Sequence, residues 1–390
     1  MDDISKIVND TISKTLVEPR PYQRRIVQKA VQMYLGQYEG LNGSNEDPSD
    51  SIMVESPTGS GKTVMGLLAL KSLQAYIPDL QVGWIAMRRN LLSQAAKENH
   101  EKGIDVDNIS FVSMFEREPE ALVEASASGK PVIMVIDEAQ HDAATSMAHL
   151  HNIIKPSKIL GLTATPFRTD RMKLCFSKVI KDAGIHQLIQ DGFLSRFDHY
   201  SIPDWSVETV AATYVADPER WGKSIFYFND TDRCFQLQNM LRSFGFASEV
   251  VTGSSNCEKQ LEMFKTGQIQ ILINCMKLTE GFDEPSIKTA FVRDSGKGCT
   301  MQMGGRAFRK HADIPVKNIV QSRNTKWPFI KTAMPVMQYI WQNGQWASLT
   351  VNPRLNQINE AMRVAIAQTQ VEMPKFVTER SKKKVTKIKL

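Results

Sequence analysis

The sequence predicts an α/β protein with two tandem lobes, each a parallel β-sheet flanked by helices. The main evidence is two series of short β-branched apolar runs, each run followed by a helical pattern. Strands that alternate with helices are typical of βαβ units and parallel sheets. The length of 390 residues and the 42% hydrophobic content fit two or three globular domains rather than a disordered or fibrous chain.

The predicted strands form two groups along the chain. The first group is at residues 51–55, 82–86, 109–112, 132–136 and 159–162, and the second is at residues 224–228, 248–251, 270–274, 289–293 and 317–320. Between the groups, residues 195–221 contain Pro203 and Pro218 and show no clear periodicity. We therefore place the lobe boundary in this stretch and predict an N-terminal lobe at residues 1–200 and a second lobe at residues 201–335.

A short helical extension and a basic tail are predicted to follow the lobes. Residues 334–346 and 356–368 have helical patterns, which gives an extension at residues 336–374. Residues 375–390 hold seven Lys and Arg residues and one acid, so the tail carries a charge equal to the net +6 of the chain. Such a tail is a candidate electrostatic arm for nucleic acid, and the alternative is a solvated, mobile end.

Composition excludes several other classes of protein. The apolar runs are far shorter than the ~18 residues of a membrane span, and the acidic start MDDISKIVND does not resemble a secretory signal. The five cysteines form no CxxC or Cys/His cluster, so we expect neither a disulfide framework nor structural zinc. The sequence predicts a protein without membrane segments in the cytoplasm or another reducing intracellular compartment.

A phosphate-binding loop is predicted at residues 56–63, which read SPTGSGKT directly after the first predicted strand. A glycine-rich loop between a strand and a helix wraps backbone N–H groups around phosphates at the helix N-terminus. Lys62 would reach the β- and γ-phosphates, and the Thr63 hydroxyl would bind Mg²⁺. The candidate nucleotide-binding residues of this loop are Pro57, Thr58, Gly59, Ser60, Gly61, Lys62 and Thr63.

Two adjacent acids, Asp137 and Glu138, follow the apolar run VIMVI. Carboxylates at the carboxyl end of a buried strand lie where α/β sheets bind ligands. Asp137 would hold Mg²⁺ through water, and Glu138 would polarise the attacking water. We therefore predict that both residues are catalytic.

Two arginines in the second series, Arg306 and Arg309, are three residues apart and would share one face of a helix. Fixed cations of this kind stabilise the charge on a transferring phosphoryl group. If both arginines come from the opposite lobe, hydrolysis would be coupled to lobe closure.

Taken together, these residues resemble the motifs of superfamily 2 helicases, in the same order. The segment RPYQ at residues 20–23 resembles the adenine-reading element, and SPTGSGKT resembles motif I. The remaining matches are DEAQ at 137–140 with motif II, GLTATPFR at 161–168 with motif III, KLTEGFDEP at 277–285 with motif V, and QMGGRAFR at 302–309 with motif VI. The resemblance implies two RecA-like lobes, with ATP and Mg²⁺ in the cleft and a nucleic-acid strand across both lobes.

The resemblance also implies roles for individual residues. Arg20 and Gln23 would bind adenine, Gly281 and Asp283 would face the nucleotide, and Gln302 would join the catalytic set. The residues that would couple the state of ATP to the grip on nucleic acid are Gln140, Thr163, Ala164 and Thr165. The segment IAMRRNLLSQ resembles motif Ia, and the residues that would contact nucleic acid are Arg88, Arg89, Ser113 and Thr279.

Within the superfamily, GLTATPFRTD, LIQDGFLSRF and TEGFDEPSI look closest to the RadD-type and XPB-like DNA repair group and to the motor subunits of restriction enzymes. This resemblance implies a monomeric motor in DNA repair or recombination that acts on single-stranded, forked or branched DNA. One alternative is a double-strand translocase or a branch-migration or annealing motor. Another alternative is a nucleotide-switched nucleic-acid-binding protein. Trp327, Trp341 and Trp346 could stack on bases, but their spacing favours core packing.

Overall fold

The computed structural model of the chain describes residues 3–40, 44–141, 145–166, 176–253, 255–275, 282 and 284–349. Two sheets flanked by helices lie within these ranges, which confirms the predicted α/β class. All ten predicted strands are present, with bounds within two residues of those expected. The predicted helix at residues 356–368 and the basic tail at residues 375–390 lie outside the described residues.

The first sheet contains six parallel strands: β1 (Ser51–Glu55), β2 (Gln81–Ala86), β3 (Ile109–Ser113), β4 (Val132–Asp137), β5 (Lys158–Thr163) and β6 (Lys178–Lys181). Their spatial order is β3-β2-β4-β5-β1-β6. The helices of this lobe are α1 (Asp3–Ser13), α2 (Pro21–Tyr34), α3 (Lys62–Gln74), α4 (Arg89–Glu101), α5 (Glu120–Ala127) and α6 (Thr145–Ile154), with a 3₁₀ turn at Ala139–His141. The central strand β4 is buried along its whole length, as its apolar sequence predicts. A further helix, α7 (Ile185–Gln190), leads to the second lobe.

The second sheet contains eight strands: β7 (Arg196–Ile202), β8 (Ser224–Phe228), β9 (Ser248–Val251), β10 (Ile271–Cys275), β11 (Thr289–Phe291), β12 (Val316–Ser322), β13 (Gln338–Gln342) and β14 (Gln345–Ser348). Their order is β14-β13-β7-β12-β11-β8-β10-β9, and every pairing is parallel except that of β13 with β14. The helices are α8 (Val207–Ala216), α9 (Pro218–Trp221), α10 (Thr231–Ser243), α11 (Cys257–Lys265) and α12 (Lys297–Gly305), with a 3₁₀ turn at Phe329–Lys331.

The stretch at residues 195–221, expected to be irregular, is instead ordered as β7, α8 and α9. Strand β7 pairs with β12 and β13 in the second sheet. Its sequence RFDHYSI mixes polar and apolar side chains without the strict alternation of a half-buried strand, which explains why the sequence did not predict it. The predicted limit at residue 200 therefore falls inside a strand of the second sheet, and we propose the connection between β6 and β7 as the boundary.

The helix expected at residues 334–346 is wrong, because this part of the chain contains the antiparallel hairpin of β13 and β14. The turn residues Asn343 and Gly344 have φ angles of 51° and 78°. Two successive left-handed residues are typical of a tight hairpin turn, and an Asn-Gly pair is its strongest sequence signal. Trp341 and Trp346 face each other across the hairpin at 5.0 Å between ring centroids, which agrees with packing rather than base stacking.

Three hydrophobic clusters stabilise the described part of the chain. One belongs to the first lobe, one belongs to the second, and the third contains residues from both. Leu188 and Leu194, between the two sheets, and Phe308 of the second lobe are in the shared cluster. The lobes are therefore packed together around the connection between them, and loops from both meet at one cleft. None of the described helices is long and apolar enough to cross a membrane.

Candidate active site

A cavity of about 520 Å³ lies between the two lobes. Both sheets contribute to its wall, because loops at the carboxyl ends of parallel strands meet there. The predicted nucleotide-binding and catalytic residues that line it are Arg20, Gln23, Thr58, Gly59, Gly61, Lys62, Thr63, Asp137, Glu138, Arg306 and Arg309. Residues far apart in sequence and predicted from separate motifs are thus brought to one site.

The loop before α3 has the backbone of a phosphate cradle. Gly59 and Gly61 have φ angles of 81° and 82°, which glycine adopts without strain. A Cβ atom at Gly61 would lie only 2.5 Å from Nε2 of Gln23. Helix α3 begins at the next residue, Lys62, so its free N–H groups and positive dipole end face the cavity.

Helix α2 holds this loop in place. The buried carbonyl of Ser60 accepts hydrogen bonds from the Tyr22 hydroxyl at 2.6 Å and from Gln23 Nε2 at 2.7 Å. The Gln23 side chain also accepts the Arg20 N–H at 2.8 Å, which caps the start of α2. Pro57 and Ser60 do not line the cavity. The Ser60 N–H donates to the Pro57 carbonyl at 3.1 Å, which closes a turn within the loop.

The two acids at the end of β4 are almost fully buried, with Asp137 7% and Glu138 8% exposed. Glu138 has a φ of 57°, an uncommon angle for a residue other than glycine, and its N–H donates to Asp137 Oδ1 at 3.1 Å. Strained backbone of this kind clusters at functional sites.

The charges of the site act on one another. Burial lowers the pKa of Lys62, whereas Glu138 and Asp137 raise it, and Arg306 and Arg309 lower it further. Burial and the neighbouring Glu138 raise the pKa of Asp137 to about 7, and Lys62 opposes this shift. The arginines of the second lobe thus act on the Lys62 ammonium group of the first lobe.

Arg306 and Arg309 do not lie on a helix as expected, because α12 ends at Gly305. The chain continues through hydrogen bonds between residues three apart, such as Ala307 N–H to Gly304 O at 3.0 Å. Tight turns of this type keep side chains three residues apart on one side, so Arg306 and Arg309 still lie on the same side of the chain. Both guanidinium groups donate to the Phe282 carbonyl, at 2.7 Å from Arg306 and 3.3 Å from Arg309.

Gln302, predicted as part of the catalytic set, is buried in α12 and does not line the cavity. Gln302 therefore matches the motif in sequence but does not lie at the cavity wall. Gly281, Asp283 and Thr279 lie outside the described residues.

Second-lobe residues closely approach the first-lobe loops that follow β1 and β5. A Cβ atom at Gly305 would lie 3.1 Å from Cβ of Thr58, and one at Gly298 would lie 3.3 Å from Cγ2 of Thr165. A Cβ atom at Gly59 would lie 3.7 Å from Cγ of Arg309. The cleft is therefore closed around the cavity, and the glycines permit this close approach.

Hydrogen bonds link the predicted coupling residues to Glu138. Gln140 Nε2 donates to Glu138 Oε2 at 3.1 Å, and Thr163 Oγ1 donates to Gln140 Oε1 at 2.7 Å. The Thr165 N–H in turn donates to Thr163 Oγ1 at 2.9 Å. Ala164 is buried between them in the chain. The series runs from the acid at the cavity to Thr165, which touches the start of α12.

Three of the residues expected to contact nucleic acid are described, and they lie outside the cavity. Arg88 and Arg89 follow β2, and Ser113 ends the neighbouring strand β3. Arg89 is exposed and Arg88 is half-buried. The structure thus brings these three residues to the carboxyl edge of the first sheet.

Several residues of the site were not predicted from the sequence. Tyr22, which supports the phosphate loop, lies inside the RPYQ segment, and Phe282, which lines the cavity, lies inside KLTEGFDEP, so their motifs offered a signal. Glu98, Phe193 and Leu194 also line the cavity. Glu98 belongs to the polar face of α4, where Gln94 donates to it at 3.0 Å, and such a face reads as ordinary solvated surface in a sequence.

Several known proteins are similar in sequence to this chain. A family model described as the res subunit of type III restriction enzymes matches residues 16–120, which include the predicted phosphate-binding loop and α3. A 51.5 kDa protein of a Lactococcus phage is 23% identical over 261 residues, covering 60% of this chain and 56% of its own length. The Schizosaccharomyces pombe protein named putative mitochondrial ATP-dependent helicase irc3 is 23% identical over 346 residues, covering 75% and 55%. The chain thus spans about half the length of these curated relatives.

Solved structures share the fold. The ATP-dependent Type ISP restriction-modification enzyme LlaBIII bound to DNA has a TM-score of 0.56 at 14% identity, covering 80% of this chain and 28% of that one. Saccharomyces cerevisiae Dbp5 bound to RNA and ADP BeF3 has a TM-score of 0.53 at 14% identity, covering 83% and 93%. The fold is that of two RecA-like lobes, and the matches together confirm the resemblance to superfamily 2 helicases.

Proposed function

We propose that this protein is an ATP-dependent nucleic-acid motor that hydrolyses ATP in the cavity between its lobes. One observation carries the proposal: Lys62 and Glu138 of the first lobe and Arg309 of the second lobe line the same cavity. Phosphoryl transfer depends mainly on positioning and on charge stabilisation, and this set offers both. Because the set is split between lobes, hydrolysis depends on their closure.

The residues divide the work by their positions. Lys62 binds the β- and γ-phosphates at the start of α3, and Glu138 orients the attacking water. Arg306 and Arg309 stabilise the charge that develops on the transferring phosphoryl group. Arg20 and Gln23, at the start of α2, hold the base.

The site suits Mg²⁺. This ion prefers oxygen ligands and usually binds one or two carboxylates together with substrate phosphates. The Asp137 carboxylate and the Thr63 hydroxyl line the cavity beside Lys62, so the donor set fits. A bound Mg²⁺ would neutralise phosphate charge, and these two residues would hold it.

In this proposal, the state of ATP is coupled to the grip on nucleic acid through the hydrogen-bonded series Glu138, Gln140, Thr163 and Thr165. A change at the γ-phosphate alters the surroundings of Glu138, and Thr165 meets Gly298 of the second lobe. Alternate gripping by two lobes then yields stepwise movement along a strand.

Nucleic acid is the proposed partner, with DNA favoured and with single-stranded, forked or branched forms as the substrates. Arg88, Arg89 and Ser113 at the carboxyl edge of the first sheet support backbone contacts, which position a strand without reading its sequence. Thr279 is proposed for the second lobe from its motif alone. The family match to a restriction-enzyme subunit supports DNA, and the Dbp5 structure bound to RNA keeps RNA among the test substrates.

The proposal extends to the setting of the protein. We propose a monomeric motor for DNA repair or recombination in a reducing compartment, and the described cysteines, Cys234, Cys257, Cys275 and Cys299, are in the thiol form. The basic tail remains a proposed nucleic-acid arm.

The two alternatives differ in output. A double-strand translocase or branch-migration or annealing motor would hydrolyse ATP on duplex DNA without separating strands. A nucleotide-switched binding protein would change its affinity for nucleic acid with ATP but hydrolyse it slowly, and the presence of both arginines at the cavity favours hydrolysis instead.

The test is the ATPase rate with single-stranded DNA, duplex DNA, forked DNA and RNA, beside strand displacement on the same forks. We expect the largest stimulation by single-stranded or forked DNA, with displacement that requires ATP. Stimulation by duplex without displacement would support the first alternative. No stimulation, with ATP-dependent binding, would support the second.

A further inference from the structure

Three consecutive residues between the lobes, Phe193, Leu194 and Ser195, here called the connector segment, contact three separate parts of the site. The segment is fixed at its start, because the N–H groups of Phe193 and Leu194 both donate to Leu188 O of α7, at 2.8 and 3.0 Å. Strand β7 begins directly after it, at Arg196. A segment held at both ends can transmit a displacement instead of absorbing it.

Its first residue lies at the base end of the cavity. The Phe193 ring meets the Tyr22 ring edge-on at 5.5 Å between centroids, and the Arg20 guanidinium lies 5.3 Å from the centre of the Phe193 ring. Arg20 also donates to the Tyr22 hydroxyl at 3.1 Å. Phe193 itself is half-buried and lines the cavity, so its ring supports the guanidinium from one side.

Its second residue lies against the phosphate loop. Leu194 is buried, and its Cδ2 atom would be 3.4 Å from a Cβ atom placed on Gly59. Cγ of Arg309 would be 3.7 Å from the same point. Leu194 and Arg309 therefore approach the same piece of backbone.

Its third residue holds the backbone that carries the second arginine. The Ser195 N–H donates to Phe308 O at 2.8 Å, and the Ser195 hydroxyl donates to Arg309 O at 3.2 Å. Ser195 is only 4% exposed, so little water competes for these bonds. The position of the Arg309 main chain is thus set from the connector segment.

We propose that the connector segment couples the base of the bound nucleotide to Arg309. In this proposal Phe193 is a specificity-determining residue and Ser195 is a positioning residue. A purine stacked at Arg20 fixes the guanidinium against the Phe193 ring, and the short segment passes this constraint to the Arg309 backbone. A pyrimidine, with a smaller ring, constrains Arg20 less and leaves Arg309 less well placed. The inference rests on the proposed ATP hydrolysis.

Substitutions at the two ends of the segment should have different effects on kcat. A steady-state assay with ATP and UTP at saturating nucleic acid measures these effects. Phe193→Ala should lower kcat for ATP about tenfold, below the ~10²-fold that a 1 Å misplacement can cost. Its kcat for UTP should hardly change, so the ratio of the two kcat values falls towards one. Phe193→Tyr, which keeps the ring, should preserve the ratio.

Ser195→Ala should lower kcat for ATP and UTP by similar factors, since it acts on Arg309 whatever the base. KM should change less than kcat in both variants, because the interaction that each variant removes belongs to the transition state. Matched controls are Phe235→Ala, an exposed ring on α10, and Ser224→Ala, a buried serine that also donates to a backbone carbonyl. Both controls should retain wild-type kcat and the wild-type ratio.

Equal losses of kcat for ATP and UTP in Phe193→Ala, or a loss confined to KM, would overturn the inference. If that variant melts early, Phe193→Leu replaces it, because leucine keeps an apolar side chain without the ring. The outcome is separable from the proposed function itself. A wild-type protein that does not hydrolyse ATP, or an active Arg309→Ala variant, contradicts the proposed site, whereas an unchanged ratio beside an inactive Arg309→Ala contradicts only the coupling.

Discussion

At the residue scale, the cavity is a balance of opposite charges that are largely removed from water. Lys62 lies among two carboxylates, Asp137 and Glu138, and two guanidinium groups, Arg306 and Arg309. Buried charges of one sign alone would be costly, and mixed signs reduce that cost. The set holds one more cationic group than carboxylates, and a polyanionic nucleotide would offset this excess of positive charge. Because each group has a different position in the set, removing single charges should have distinct effects.

Lys62→Ala should abolish ATP hydrolysis and leave the fold intact. Lys62 is the first residue of α3 and lines the cavity, whereas the buried apolar residues of α3 form part of the core. The measurement is nucleic-acid-stimulated ATPase beside a thermal melt. Lys71→Ala on the same helix, which removes an ion pair with Asp107 and a hydrogen bond to the Asp105 carbonyl, is the control and should keep full activity. Stimulated ATPase close to wild type in Lys62→Ala would remove the phosphate-loop assignment.

Glu138→Gln should bind ATP and Mg²⁺ but fail to hydrolyse ATP. Glutamine keeps the size of the side chain and removes the charge that orients water, so ATP should hold a closed, nucleic-acid-bound state. Nucleotide binding and single-turnover hydrolysis are measured, with Glu124→Gln on the surface of α5 as the control. If the variant no longer binds ATP, the division of roles between Asp137 and Glu138 is wrong.

The sequence predicted these polar residues because only a few residue types, at particular positions, can bind phosphate groups. It did not reach Phe193 or Glu98, since their contribution depends on which helix face and which connection turn towards the cavity. It also placed Gln302 in the catalytic set from its motif, although that side chain lies buried beside Met303 in α12 and away from the cavity wall.

At the element scale, strand identity was predictable and the peripheral connections were not. Apolar runs such as 132–136 must be buried on both faces, so their sequence permits few alternatives. Strand β7 and the hairpin of β13 and β14 mix polar residues with apolar ones, which weakens the signal that an apolar run provides. The Asn343-Gly344 pair was nevertheless a readable hairpin signal.

Strand β12 offers a prediction of stability against pH. The Lys317 ammonium group is buried and donates to the carbonyls of Pro285 and Ile287, both at 2.7 Å. Burial lowers the pKa of Lys317 from 10.5 to about 8, although Glu284 opposes the shift. Between these values the unfolded chain holds a proton that the folded chain has released, so stability should rise with pH.

The measurement is the melting temperature between about pH 8 and 10.5. Relative to Lys317→Met, wild type should gain stability across this window and show no relative gain below it. Lys259→Met, an exposed lysine on α11, should follow the wild-type slope. Parallel curves for wild type and Lys317→Met would contradict the lowered pKa.

At the scale of the whole molecule, the two sheets meet at their carboxyl edges, and neither lobe alone completes the site. The first lobe supplies the proposed phosphate loop and the acids, and the second supplies the arginines. Ser195 of the connector segment donates hydrogen bonds to the carbonyls of Phe308 and Arg309. Thr58 and Thr165 contact glycines of the second lobe. Direct contacts between the lobes thus link lobe closure to the proposed chemistry.

The tail gives a second whole-molecule prediction. If residues 375–390 bind phosphates, their deletion should weaken binding at all sequences and flatten the log–log salt slope by about 0.7–0.9 for each phosphate that the tail neutralises. Fluorescence anisotropy over a range of salt concentrations measures both effects. A tail of the same length with Lys and Arg replaced by Gln separates charge from length. An unchanged slope after deletion would leave the tail without a role in nucleic-acid binding.

The central claim is that a catalytic site for ATP is completed by arginines from the second lobe. The most direct test is single-turnover ATP hydrolysis by wild type, Arg306→Ala and Arg309→Ala, each saturated with the best stimulating nucleic acid. Each arginine variant should lose at least about 10²-fold in rate, in keeping with the 10³–10⁵ that an arginine finger can supply, while ATP affinity falls much less. Arg242→Ala, whose side chain pairs with Glu249 away from the cavity, should match wild type. Rates near wild type in both arginine variants, or losses of affinity as large as the losses of rate, would contradict the account.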